Sequence, residues 1–157
     1  MQGNWDHSVL PKETEFLQVV TFRLNEEEFA FDLSRVKEII RMGEITRVPR
    51  APDYIAGVFN LRGNIIPIIH LKKRFGWEIG QYSAATRIVV VEAASVISGI
   101  VVDSVQETRK LPVTCLEAPS ALVMGSIDNE YIPGVAKLED RLLILLDIKK
   151  ILHLKKE

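Results

Sequence analysis

The stretch Gly57-Val58-Phe59-Asn60-Leu61-Arg62-Gly63-Asn64-Ile65-Ile66-Pro67-Ile68-Ile69-His70-Leu71 decides the reading of this chain. It reads as the end of a short helix, a polar knot over Asn60–Gly63, and then an apolar strand. Much of it recurs without a gap 77 residues later. Tyr54-Ile55-Ala56-Gly57-Val58 returns as Tyr131-Ile132-Pro133-Gly134-Val135, Ile65-Ile66 as Leu142-Leu143, and Leu71-Lys72-Lys73 as Ile148-Lys149-Lys150. Self-similarity at a fixed long offset indicates duplicated supersecondary units. One difference between the copies is informative. Arg62-Gly63-Asn64 in the first is replaced by Glu139-Asp140-Arg141, an ordinary charged turn, in the second.

Outward from this stretch the chain reads as short strands and turns. Gln18–Leu24 alternates in polarity and predicts a strand, Asn25–Glu28 a turn, and Phe29–Leu33 its return strand. Ser34 is an expected N-cap for a helix of about two turns ending near Met42-Gly43, with Leu33, Val36, Ile39 and Ile40 on one arc. Ile40 is assigned to the core. Val36 and Ile39 lie beside Arg35 and Glu38 and are assigned to the rim of an exposed apolar groove. Pro52 suits the first turn of a second helix carrying Ile55, Val58 and Phe59 at i, i+3 and i+4. Pro67 removes a ladder donor, which predicts an edge strand or a bulge there.

Further on, Leu71–Phe75 predicts a helical turn stopped by Gly76, and Trp77–Ala85 a polar connector. Thr86–Glu92 and Val96–Val105 pair across Ala93-Ala94-Ser95, and their β-branched runs predict burial on both faces. Leu111–Ser120 reads as a loop. Leu122–Ile127, Tyr131–Leu138 and Arg141–Leu146 read as strands, and Asp147 as the cap of a terminal helix. Short strands with frequent turn signals predict small closed barrels, and two in tandem match the repeat. The expected organisation is a flexible arm over residues 1–15 and one domain over 16–157, built of half-modules at about 16–80 and 81–154.

Composition and motif content narrow the function. The chain has 157 residues, 47% hydrophobic and 26% charged, with net charge −1. That balance argues against a general nucleic-acid or anionic-membrane binder. A small-barrel nucleic-acid reader would also need exposed aromatics in a basic groove, and the six Phe sit mostly in apolar strands. One Cys, Cys115, allows no internal disulfide and fits a reducing compartment. No signal peptide and no apolar run of ~20 residues is visible, so a cytoplasmic protein without membrane insertion is expected. His7, His70 and His153 lie far from Cys115, so no metal site is expected. The phosphate-loop, nucleophile-elbow and zinc-protease motifs are absent. The expectation is therefore a binding protein, without catalysis or cofactor. Arg62 has two open readings, a structural ion pair to Glu38 or a partner anchor.

At these residues the chain resembles the CheW family of chemotaxis coupling proteins. The resemblance rests on Gly57–Gly63 with Ile65–Ile69 and Leu71, on Phe31–Leu33 through Val36–Ile39, on Gly99–Val105, and on Leu142–Leu152, in that order. It covers about residues 16–154. It implies a mainly β fold of two SH3-like five-stranded barrels around a shared core, with short connecting helices and a C-terminal helix. It also implies a non-catalytic scaffold in the cytoplasm, recruited to membrane receptor arrays. Its partners would be methyl-accepting chemoreceptors and the histidine kinase CheA, whose regulatory domain shares the fold. The receptor's helical hairpin tip would dock in an apolar groove lined by Val20, Leu33, Val36, Ile39 and Val105, with Glu38, Asn60, Arg62 and Gly63 nearby. The resemblance places kinase contacts at barrel ends without identifying residues. A receiver-linked adaptor of this family or a detached kinase regulatory domain is the same-fold alternative, and 157 residues leave no room for a receiver or ATPase domain. His70 departs from the family pattern, which often has Asp there.

Overall fold

The computed structural model describes residues 15–120 and 127–153. The strand expected over Leu122–Ile127 therefore falls almost wholly outside the described residues, as does the arm. Eleven strands form two sheets among those residues. Strands β1 (Phe16–Leu24) and β2 (Glu27–Asp32) join β8 (Ser104–Pro112), β9 (Leu116–Glu117), β10 (Gly134–Lys137) and β11 (Leu142–Leu145) in the order β8-β1-β2-β11-β10-β9. The other sheet holds β3 (Val36–Arg41), β4 (Ile55–Leu61), β5 (Asn64–His70), β6 (Arg87–Ala93) and β7 (Val96–Val102) in the order β3-β6-β7-β5-β4. The repeat and the sheets thus divide the chain differently. One sheet gathers both ends of the sequence, and the other is a continuous middle segment.

Period-2 alternation places the core. Along β1, β2, β6 and β11 one face points into the strand's own barrel and the other into a core shared by both. Val19, Ala30, Leu143 and Leu145 fill the first barrel, and Ile66, Ile68, Ile88, Val90 and Val101 the second. Their neighbours Val20, Phe29, Phe31, Ile144, Val89, Val91, Ile100 and Val102 meet between the barrels. Two buried faces explain why these strands read as continuous apolar runs. The outer strands of the second sheet also come together. Ile40 and Met42 pack on the same interior cluster as Phe59 and Leu61, and Arg62 at the β4–β5 turn is ion-paired to Glu38 on β3. Each sheet is an SH3-like barrel, and the fold is mainly β.

The duplicated stretch is an antiparallel hairpin followed by a short helix in both copies. The first is β4–β5 with α1 (Leu71–Arg74), and the second is β10–β11 with α2 (Ile148–Leu152). Each hairpin docks in parallel on another strand, β5 on β7 and β11 on β2. Gly76 at φ 84 ends α1 as expected. Asp147 caps α2 by accepting from the Lys150 N–H at 3.3 Å. Arg74 joins the copies. Its guanidinium lies 4.2 Å from the Tyr54 ring centroid and 5.7 Å from that of Tyr131, the two aligned tyrosines of the repeat, and it donates to the His153 carbonyl.

Two expected helices are strands, for one shared reason. The segment predicted as a helix from Ser34 is a 3-10 turn over Leu33–Arg35, capped by Asp32 through the Ser34 N–H at 2.9 Å, followed by β3. A bulge between Val36 and Glu38 inserts one residue into the strand period. Apolar residues then recur at 36, 39 and 40, which mimics a helical face. The helix predicted from Pro52 is instead a turn leading into β4, with the same kind of irregularity between Ile55 and Gly57. A side chain at Gly57, φ 150, would collide with the Thr46 carbonyl oxygen. Ile55, Val58 and Phe59 therefore share helical spacing on an extended backbone.

Pro67 lies on an inner strand, against the edge-or-bulge expectation. Val58, which faces Pro67, spends both of its backbone groups on Thr46 at 2.8 and 2.9 Å. The Val58–Pro67 pair is thus a non-hydrogen-bonded one, and the ring nitrogen faces β7, where the ladder begins only at Ile68↔Gly99. Leu111–Ser120 is not all loop. β8 runs to Pro112 and β9 covers Leu116–Glu117.

Candidate functional site

The Asn60–Gly63 knot is the two-residue turn of the β4–β5 hairpin, between the paired Leu61 and Asn64. Arg62 has φ 51 and Gly63 φ 89. Positive φ at both central residues is the type I′ condition, which matches strand twist and favours Asn-Gly or Gly-Gly. The Asn60 Oδ1 accepts the Gly63 N–H at 2.8 Å and fixes the turn. Arg is costly at the first position, because a left-handed non-Gly residue crowds its own Cβ. The hairpin holds Arg62 there nonetheless, with its side chain 69% exposed.

Both readings of Arg62 meet in the geometry. Its guanidinium is ion-paired to the Glu38 carboxylate, itself 29% exposed. Exposed pairs contribute only about 0–1 kcal/mol, too little to require an arginine at a strained turn position. The pair holds the guanidinium beside β3.

The other candidates separate by burial. Leu33, Val36 and Val105 are half-buried and pack on the rim of the shared core. Ile39, next to Glu38, is 39% exposed. Val20 is 1% exposed. It lies beneath this rim and offers no surface, which corrects its place in the groove lining. Leu33, Val36 and Val105 each pack on the shared core, while Glu38 and Ile39 on β3 adjoin the β4–β5 turn that carries Asn60, Arg62 and Gly63 through the Arg62–Glu38 ion pair. Arg35 and Lys37 adjoin Val36 in sequence, with Lys37 ion-paired to Glu92 at 3.3 Å.

Ile65, within the apolar strand, is 62% exposed. Pro67, two residues on, was the available signal, since it interrupts pairing to β7 at that end of β5. Elsewhere, the Tyr82 hydroxyl and His70 Nε2 are 2.8 Å apart. Burial, with Lys72 and Lys73 adding to it, holds the His70 imidazole below its ordinary value. Cys115 is half-buried, and burial pushes its thiol up, away from the reactive thiolate. Among the described residues no group of three or more His, Cys, Asp or Glu is placed to hold a metal. No helix among them is long and apolar enough to cross a membrane.

Fold and site define a class: a double SH3-like barrel whose candidate residues are half-buried apolar side chains and the exposed Arg62–Glu38 pair. The family model "CheW-like domain" matches residues 18–156. The chain is 37% identical to "Chemotaxis protein CheW" of Klebsiella aerogenes over 97% of its own length and 91% of that protein's. It is 38% identical to "Chemotaxis protein CheW" of Treponema pallidum, over 87% of its length and 82% of the relative's. Among solved structures it is similar to the scaffolding protein TtCheW from Thermoanaerobacter tengcongensis, with TM-score 0.81, 34% identity, and coverage of 89% and 90% of the two chains. The chain belongs to the CheW-like family of chemotaxis scaffold proteins.

Proposed function

We propose that this chain couples methyl-accepting chemoreceptors to the histidine kinase CheA, without catalysis of its own. The receptor's cytoplasmic helical hairpin tip docks on Leu33, Val36, Glu38, Ile39, Asn60, Arg62, Gly63 and Val105, with Val20 as buried support. A helix laid in an apolar groove is an established recognition mode, in which buried anchors supply affinity and charges set register. CheA's regulatory domain docks through barrel ends, and this pairing draws the protein from the cytoplasm to membrane receptor arrays. The two barrels act as one docking body, because Arg74 and the shared core tie the duplicated units together.

The observation that carries the receptor assignment is Arg62, held exposed at a turn position where glycine or asparagine is the low-strain choice. Strain retained at an exposed side chain points to a task for that side chain. The test is binding of the full chain to a soluble receptor cytoplasmic fragment, comparing wild type with Arg62→Glu and Val36→Glu. Both variants should weaken receptor binding and leave binding to CheA largely intact. Equal loss of both partners would count against the assignment.

A further inference from the structure

Two tight turns lie side by side at the start of β3. The first is the 3-10 turn over Leu33–Arg35. Asp32 fixes it through one carboxylate oxygen, which accepts from the Ser34 N–H at 2.9 Å and from the Ser34 hydroxyl at 2.8 Å. No residue of the turn is buried, and Ser34 and Arg35 are exposed. The second is the two-residue turn of the β6–β7 hairpin, closed by the Ala93↔Val96 pair. Its central residues, Ala94 and Ser95, have φ 53 and 67, the left-handed pair that a type I′ turn requires. The pairing of Val36 with Val91 brings the two turns together. Between them lies a notch of about 430 Å³, walled by residues 34–37 on one side and 92–95 on the other. Half-buried Val36 is part of its lining.

The charges in this notch do not balance. Its charged residues are Arg35, Lys37 and Glu92. Lys37 and Glu92 are ion-paired at 3.3 Å. Arg35 makes no ion pair among the described residues. On its other side Arg35 shares a second cavity with Asp32, Asp147 and Lys149. Both acids there are turned to backbone, Asp32 capping the 3-10 turn and Asp147 capping α2 through the Lys150 N–H at 3.3 Å. One positive charge is thus left open at the notch, on a guanidinium next to Val36. Lys37 and Arg62, by contrast, are each held by an acid of the same chain.

We infer that the notch receives a carboxylate of the docked receptor helix and that Arg35 is its partner. A guanidinium presents a planar fork that takes one carboxylate through two parallel hydrogen bonds. A single open charge matches one carboxylate. A phosphate group, at about −1.5 to −2, would leave excess negative charge beside Glu92. The place of the acid along the helix follows from the spacing. Arg35 and Val36 are consecutive, about 3.8 Å apart at Cα. Side chains three or four positions apart on a helix lie ~5–6 Å from each other. The acid therefore stands one helical turn from the residue that covers Val36. This rests on the receptor-docking reading above and adds to it the chemistry of one partner side chain.

The test uses the full-length protein and a soluble receptor cytoplasmic fragment. Arg35→Gln should weaken binding about fivefold or more, with the melting temperature of wild type, as for an exposed substitution. Its affinity should also fall less steeply with added KCl than that of wild type. Arg35→Lys should recover part of the loss, since it restores the charge without the fork. Each Asp and Glu of the fragment's hairpin tip is then replaced by Asn or Gln. One of these replacements should weaken binding to wild type and have no further effect on binding to Arg35→Gln. Unchanged affinity of Arg35→Gln, with Val36→Glu defective, overturns this inference and leaves the receptor reading standing. A loss that couples to no acid of the fragment, or a lowered melting temperature of Arg35→Gln, also overturns it. Self-association of wild type that Arg35→Gln abolishes would assign the carboxylate to a second copy of the chain, and overturns it as well. If wild type binds no fragment, or Val36→Glu binds like wild type, the receptor reading falls and this inference with it.

Discussion

Arg62→Asn separates a structural arginine from a functional one. The substitution breaks the ion pair to Glu38, which at 69% and 29% exposure is worth about 0–1 kcal/mol. It also offsets part of the left-handed cost at φ 51, of order 1 kcal/mol, because the short polar side chain of Asn can hydrogen-bond locally. The resulting Asn-Gly pair is the preferred sequence for a two-residue type I′ hairpin. The Asn60-to-Gly63 hydrogen bond is untouched. The terms oppose each other and nearly cancel, so stability should stay within about 0.5 kcal/mol of wild type or rise slightly. Affinity for the receptor fragment should fall at least tenfold, the loss expected of a truncated anchor arginine. Urea denaturation and binding on the same preparation give both numbers. A stability loss above about 1.5 kcal/mol would show that Arg62 holds the barrel closed. Unchanged affinity would remove it from the docking surface.

Other perturbations have equally definite outcomes. Val20→Ala should cost about 2 kcal/mol, because Val20 is enclosed in the shared core, and any binding loss should track the unfolded fraction in parallel melts. Arg74→Met should lower stability by roughly 1–3 kcal/mol, since it removes the guanidinium from Tyr54 and Tyr131 and its donation to the His153 carbonyl; calorimetry comparing it with Arg74→Lys would show whether planarity matters beyond charge. His70 is held below its ordinary value of 6.5 by burial, and further by Lys72 and Lys73. The unfolded chain therefore binds its proton first, and stability should decline as pH falls below about 6.5, then level off once the folded imidazole also protonates. Denaturation midpoints at pH 7.5 and 5.5 should converge less in wild type than in His70→Gln.

The sequence disclosed the elements governed by local chemistry. The repeat aligned the two units, although the first was read as helix, knot and strand where the structure has a hairpin; Gly76 and Asp147 bounded α1 and α2 as read, and the β-branched runs of β6 and β7 are buried on both faces. The two predicted helices failed because a bulge turns period 2 into i, i+3, i+4 spacing, and a bulge leaves no mark in apolar pattern alone. Gly57 was the clue for β4, but its need arises from the approach of Thr46, a contact between segments. For the site, the contrast between Arg62 and Glu139 singled out Arg62, and Val36 and Ile39 were assigned to a groove rim by way of a helix that the structure replaces with β3. Val20 was misplaced because alternation says that a face is buried without saying which of two cores receives it. Ile65 was hidden in an apolar run whose open end is created by Pro67.

The most direct test of the coupling account is co-sedimentation of wild type and Arg62→Glu with a receptor cytoplasmic fragment and CheA, with kinase activity read in the same tube. The account predicts that wild type assembles an active ternary complex, whereas Arg62→Glu still binds CheA but leaves it unresponsive to receptor. A wild-type protein that sediments with neither partner, or an Arg62→Glu protein that assembles and activates like wild type, would contradict it.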